Sequence, residues 1–172
     1  MSISMYKASA PIFAQFLTSL SNVLDKAGAH AEAKKIDPSV LVNARLFPDM
    51  FALVRQVRAA TDHAANACGK LAGVEPPQFA NNEATIAELK ERIDKTIAFI
   101  RTLTPAQIDG SEDKTITFTF PSGATREFTG QSLLLNFSLP NFYFHAATAY
   151  NILRHSGIEI GKRDFMGTPA TL

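Results

Sequence analysis

The chain has 172 residues, 46% of them apolar and 19% charged, and its 17 Lys and Arg against 16 Asp and Glu leave a formal charge of +1. That composition excludes a disordered polypeptide and supplies no overall field for phosphate backbones or acidic bilayers, so neither nucleic acid nor a membrane is an expected partner. The only cysteine, Cys68, excludes an intramolecular disulfide and a four-thiolate zinc site and fits a reducing compartment.

Met1 to Lys7 lacks the basic region and apolar run of a secretory signal. No stretch of about 18 apolar residues occurs, so no membrane span is expected and the cytoplasm is the natural placement. Residues 1–172 read as one domain.

Ser9, Ala10 and Pro11 form a helix start, with Ser9 as the acceptor for orphan amides. Ile12, Phe13, Phe16, Leu17, Leu20, Val23, Leu24 and Ala27 then recur at the three-to-four spacing of one apolar face. The stretch from Gly28 to Lys35 either continues this helix or frays. Asp37-Pro38 starts a short helical turn through Leu41. Pro48 and Asp49 open a second long helix, whose stripe is Met50, Leu53, Val54, Val57, Ala64, Cys68 and Leu71 and whose stop is Gly73.

Val74 to Ala80, with Pro76-Pro77, is a connector. Either Asn82 or Thr85 caps the third helix, the latter pairing with Glu88 as a capping box. Ile86, Leu89, Ile93, Ile97, Ile100 and Leu103 face the core, and Glu88, Lys90, Glu91, Arg92, Asp94 and Lys95 are expected on the solvated face. Thr104-Pro105 begins another helix that Gly110 cuts short. Thr115 to Phe120 alternates with period two, Pro121-Ser122-Gly123 is a turn, and Arg126 to Phe128 returns as a second strand, a hairpin that must pack on the helices to be stable. Gln131 to Leu139 is helical and apolar, with a kink or break expected at Pro140. The last helix runs from about Pro140 to His155 and ends at Gly157, and an irregular tail follows from Ile158 to Leu172.

The segment Asn141-Phe-Tyr-Phe-His145 through Leu153-Arg154 to Gly157, with Glu159 and Asp164 beyond it, resembles the end of a DinB/YfiT-like domain. In that superfamily a histidine pair at i and i+4 precedes a Leu-Arg element, a glycine and an acidic tail residue. The order of the earlier helices fits as well, so the resemblance covers nearly the whole chain. It is strongest to a branch of domains of unknown function, through Met1 to Tyr6, Asn43-Ala-Arg45-Leu and Pro48-Asp49-Met50. It implies an all-α, DinB-like four-helix bundle with a small β-hairpin inserted before the last helix. It also implies zinc or nickel held by three histidines, one from the second long helix and two from the last.

This chain departs from that pattern. Asn141 stands four residues before His145 in place of the first histidine, and Arg55, Gln56, Val57 and Arg58 occupy the region where the second-helix ligand is expected. The metal candidates are therefore His145 and His63, and any zinc or nickel is expected to be held weakly.

Asn141 and His145 lie one turn apart on one helix face and can share a ligand. With Asn43, Arg45, Asp49 and Gln56 they form the candidate ligand-binding set. Either Arg45 pairs with Asp49 across a loop, or Arg45 or Arg55 binds a carboxylate that Asn43 or Gln56 orients. The pocket is expected between the first, second and last long helices. His155 complements a helix dipole, His30 reads as surface and Cys68 as an inert packed thiol.

Three functions compete on this basis. One is a DinB-like transferase, isomerase or hydrolase acting on a small molecule with His145 as ligand or base, and another is a non-catalytic small-ligand-binding protein that has lost the metal site. The third is a structural protein. A homodimer is expected from the aromatic run Phe142 to Phe144 and the strand Thr115 to Phe120.

Overall fold

The computed structural model of the protein describes residues 3–120 and 122–169. Four long helices carry the architecture: α1 (Ala10–Lys34), α3 (Leu53–Ala72), α4 (Ile86–Thr102) and α7 (Leu139–His155). Between them lie the short helices α2 (Pro38–Val42), α5 (Pro105–Ile108) and α6 (Gly130–Ser132), the strands β1 (Thr115–Thr119) and β2 (Thr125–Thr129), and a π-helical turn, Leu133–Ser138; α8 (Lys162–Met166) follows α7. In the bundle α3 packs on α7 and α4, and α1 packs on α4, α7 and α8. Among the described residues no helix is long and apolar enough to cross a membrane.

The apolar stripes of α1, α3 and α4 find their expected faces, and α7, for which no stripe was expected, adds Phe142 from the aromatic run to the same core. Phe13, Leu17 and Leu24 of α1, Leu53, Val57 and Leu71 of α3, Leu89, Ile93 and Ile100 of α4, and Phe142, Ile152 and Leu153 of α7 are all buried in one contiguous cluster. Each such side chain stabilises the fold by roughly 1.5–3 kcal/mol relative to exposure. Thr85 and Glu88 form a reciprocal capping box at α4. Gly73 ends α3 at φ 71°, a left-handed conformation that glycine adopts without a Cβ penalty. Gly130 is required for another reason, since a Cβ there would lie 2.0 Å from the Ser111 carbonyl oxygen.

Several local expectations are corrected. The Ser9 hydroxyl donates to the Met5 carbonyl (2.6 Å) and makes no cap bond to α1. The second long helix begins at Leu53, not at Pro48: Arg45 donates to the Met50 carbonyl and the Leu53 amide to the Ala44 carbonyl, which holds the intervening residues as a loop. Asn82 caps nothing, and the tail is not wholly irregular, because α8 docks on α1 through a Lys26–Asp164 ion pair of 2.6 Å and Phe165 packing on Phe16. Pro140 does not break its helix. The π turn ahead of it, with the Leu139 amide bonded to the Leu134 carbonyl, adds a residue to the turn and relieves the clash with the proline ring.

The hairpin pairs in antiparallel register from Thr115↔Thr129 to Thr119↔Thr125. Within the expected turn Gly123 takes φ 84°, while Pro121 lies outside the described residues. Ile116, Phe118 and Phe120 share one face by the period of two. Phe118 and Phe128 close on Phe137 of the π turn at 5.0 and 5.3 Å between ring centroids, which fastens the hairpin to the bundle.

The largest correction concerns Arg92, which is not on the solvated face but only 2% exposed. Its Nε donates to Thr61 Oγ1 (2.7 Å), and its terminal nitrogens donate to Asn81 Oδ1 (2.9 Å), Glu83 Oε1 (2.8 Å) and Asp62. The guanidinium also lies 4.2 Å from the centre of the Phe79 ring. Arg58 donates to both the carboxylate and the carbonyl of Glu83, each at 2.6 Å. Burial works to raise the Glu83 carboxyl, but the hydrogen bonds and charges of Arg92 and Arg58 outweigh it and hold it below its ordinary value. Arg92→Ala, which leaves Glu83 and Asp62 short of their partner, is expected to lower unfolding free energy by about 3 kcal/mol in urea titrations, whereas exposed Glu91→Ala should stay within about 0.5 kcal/mol.

Candidate functional site

Along α3 the residues Arg55, Arg58, Ala59, Asp62, His63, Asn66 and Lys70 recur at three, four and seven positions, so they line one face of the helix. Phe137, Asn141 and His145 recur every four residues through the π turn and α7 and form the facing stripe. The Pro76–Asn81 connector and Phe118 to Phe120 of the hairpin supply the remaining walls of a cavity of about 830 Å³. That size lies within the ordinary range for small-molecule pockets.

Of the expected site residues, the fold brings together Asn141, His145, His63 and Gln56. His63 and His145 both line the cavity, their rings nearly parallel with centroids 5.8 Å apart. Asn43, Arg45 and Asp49 are exposed and lie outside its walls. Asn43 donates to the Ser39 carbonyl at the end of α2 (2.9 Å), and Arg45 bonds the Met50 carbonyl without pairing with Asp49. The cavity is also not where it was expected, since α1 contributes nothing to it and the connector and hairpin take that place.

Gln56 determines the chemistry of His145. Its Nε2 donates to the Phe51 carbonyl (3.1 Å), an acceptor only, which leaves Oε1 to face His145 Nδ1 at 2.8 Å. An amide oxygen accepts, so Nδ1 carries the proton, and in the neutral ring Nε2 keeps a free lone pair. Burial lowers the His145 pKa below the ordinary imidazole value. It also lowers that of His63, to about 4, with the neighbouring His145 adding to the effect. Both rings are therefore neutral near pH 7. Asn141 donates through Nδ2 to the Phe137 carbonyl (2.7 Å), which leaves its oxygen as an acceptor.

A three-histidine metal site does not fit these residues. The cavity offers only two imidazoles; its amides, Asn66, Gln78, Asn81 and Asn141, are already hydrogen-bonded and Asp62 is paired with Arg92, and among the described residues no group of three or more His, Cys, Asp or Glu side chains could hold a metal ion. Burial pushes the Cys68 thiol up to about 12, so it is a packed and unreactive group.

The chain matches, over residues 5–166, the family described as Domain of unknown function (DUF1993). It belongs to that family. A crystal structure of a DinB family member protein from Shewanella denitrificans matches this DUF1993 chain with a TM-score of 0.87 at 36% identity, covering 97% of this chain and 94% of that one. The similarity agrees with the DinB-like bundle and hairpin. No curated protein is significantly similar to the chain.

Phe79, Asn81, Asp62, Asn66, Phe118 and Phe120 are pocket residues that sequence reasoning missed in this DUF1993 chain. A signal for part of them was present, because the polar residues of α3 repeat at helical spacing around His63. Nothing in the sequence tied the connector or the hairpin to that stripe.

Because the folded His63 pKa lies below its unfolded value of 6.5, the unfolded chain binds a proton first as the solution is acidified. Stability is then greatest above pH 6.5, falls between 6.5 and about 4, and loses nothing further through this group below that. The loss from this group is on the order of 3 kcal/mol at most. Urea midpoints measured from pH 7 to pH 4 should decline less steeply in His63→Gln than in the unmodified protein.

Proposed function

We propose that this DUF1993 chain binds a small organic molecule in the pocket around His145, with the neutral imidazole as a hydrogen-bond acceptor. The observation that carries this reading is the Gln56-fixed tautomer, which leaves Nε2 available on a ring that lines a cavity of about 830 Å³. Aromatic walls supply the apolar contact, and the Asn141 oxygen adds a second acceptor. Titration with small organic fragments, followed by NMR of the imidazole carbon-bound protons, should yield binders that move the His63 and His145 resonances together. A broad fragment set that leaves both rings unmoved would refute the reading.

A second reading makes the same site catalytic, as a transferase, isomerase or hydrolase acting on a small molecule. It is favoured by one feature: a base held in one tautomer by a neighbouring side chain is the arrangement general-base catalysis uses. In either reading zinc or nickel is bound weakly, through His63 and His145 alone. Asn141→His, which sets an imidazole one turn before His145, is expected to raise zinc affinity at least tenfold, about 1.4 kcal/mol, by isothermal titration. A homodimer in the cytoplasm remains part of the proposal. Phe142 is buried and unavailable to it, and Phe47 and Phe144, at 63% and 58% exposure, are the aromatic surface it would cover.

A further inference from the structure

The charges around the cavity do not cancel. Arg58 and Arg92 are matched by Glu83 and Asp62 in one electroneutral network. His63 and His145 are neutral. Two lining cations remain without a carboxylate partner among the described residues, Arg55 and Lys70. Lys70 donates to the Thr117 carbonyl (3.2 Å). The Arg55 guanidinium makes no hydrogen bond among the described residues and lies 3.8 Å from the centre of the Phe51 ring. Fifteen residues of α3 separate these two cations, about 22 Å of helix rise, so one small anionic group cannot engage both.

The cavity is also polarised along that helix. Phe51 links Arg55 to His145, whose ring is parallel to it at 6.2 Å, so the guanidinium and the imidazole acceptor occupy one end. Phe118, Phe120 and Phe137 pack edge-to-face at the hairpin end, with centroids 5.0 to 5.9 Å apart. Lys70, bonded to the Thr117 carbonyl, and Thr119 are the polar lining residues beside these rings.

From this arrangement we infer that the pocket takes an amphiphilic organic carboxylate, its head on the Arg55 guanidinium and its apolar body against Phe118, Phe120 and Phe137. The inference rests on the ligand-binding reading above and adds the chemical class of the ligand. A guanidinium stacked on an aromatic ring retains donors for a carboxylate, and its planar fork matches two oxygens where an ammonium would not. The body is either aromatic or alkyl, since both suit phenylalanine walls.

The test uses the purified full chain and two matched pairs of probes, 4-phenylbutanoate with 4-phenylbutanamide and octanoate with octanamide, titrated calorimetrically at low salt. At least one carboxylate should bind about tenfold or more tighter than its amide, and Arg55→Gln should abolish that preference by bringing the acid to the affinity of its amide. Phe137→Ala should weaken both members of a pair alike. The pair that shows the preference identifies the body as aromatic or alkyl. Equal binding of acid and amide, or a preference that survives Arg55→Gln, overturns the carboxylate assignment while leaving ligand binding intact. Failure of all four probes, when other fragments still move the His63 and His145 resonances, overturns it equally. Because Arg55 is exposed and unpaired, the Arg55→Gln protein is expected to fold, and its unfolding midpoint confirms this independently.

Discussion

One buried guanidinium decides where the pocket can be. Arg92 leaves α4 and reaches α3 at Thr61 and Asp62 and the connector at Asn81 and Glu83. The connector has no secondary structure of its own between Gly73 and Thr85, and Pro76-Pro77 prevents it from acquiring any. What lays it across α3 is this network, together with Phe79 stacked on the same guanidinium. Taking Arg92, Arg58 and Glu83 from water costs about as much as their pairing returns, so the network is better understood as specifying position than as supplying net stability. The position it specifies is the wall of the cavity opposite α7.

The second wall is set by a different means. The π turn lets the chain pass Pro140 without breaking, so Phe137, Asn141 and His145 stay on one stripe from the hairpin to the far end of the cavity. Phe137 then has two tasks, holding the hairpin through Phe118 and Phe128 and meeting the edge of His63 at 5.5 Å. Hairpin and imidazole pair are thereby mechanically joined.

The elements whose identity depends on local periodicity were legible in the sequence. The core faces of α1, α3 and α4, the capping box at Thr85, the stop at Gly73 and the hairpin all follow from spacing and turn chemistry. The failures share a cause. Arg92 sits among Glu88, Lys90, Glu91 and Asp94, where a charge normally means solvent, and only partners 9 to 31 residues away in the chain make its burial tolerable. The late start of α3 likewise turns on Arg45 and Ala44 holding a loop closed. In the site, Asn141 and His145 were found because they share one helix, and the link to Gln56 follows an expectation about polar residues on α3. Asn43, Arg45 and Asp49 were grouped with them by nearness in sequence, which the loop before α3 does not convert into nearness in space.

The departure from the three-histidine pattern and the charge of the pocket point in the same direction. A dication needs ligand lone pairs and gains from nearby carboxylates, yet Asp62 is committed to Arg92 and the unmatched lining charges are both positive. In addition, Gln56 fixes the His145 proton on Nδ1, where the metal-ligand histidine of many sites donates to a carboxylate; an amide partner makes the imidazole a weaker donor than a carboxylate would. Each of these features lowers affinity for a cation. A single substitution at Asn141 supplies a nitrogen but leaves the field unchanged. The pocket therefore differs from a three-histidine centre in its electrostatics as well as in a missing ligand, and the electrostatic difference is carried by residues of α3, among them Arg55 and Gln56 from the very region where the second-helix ligand is expected.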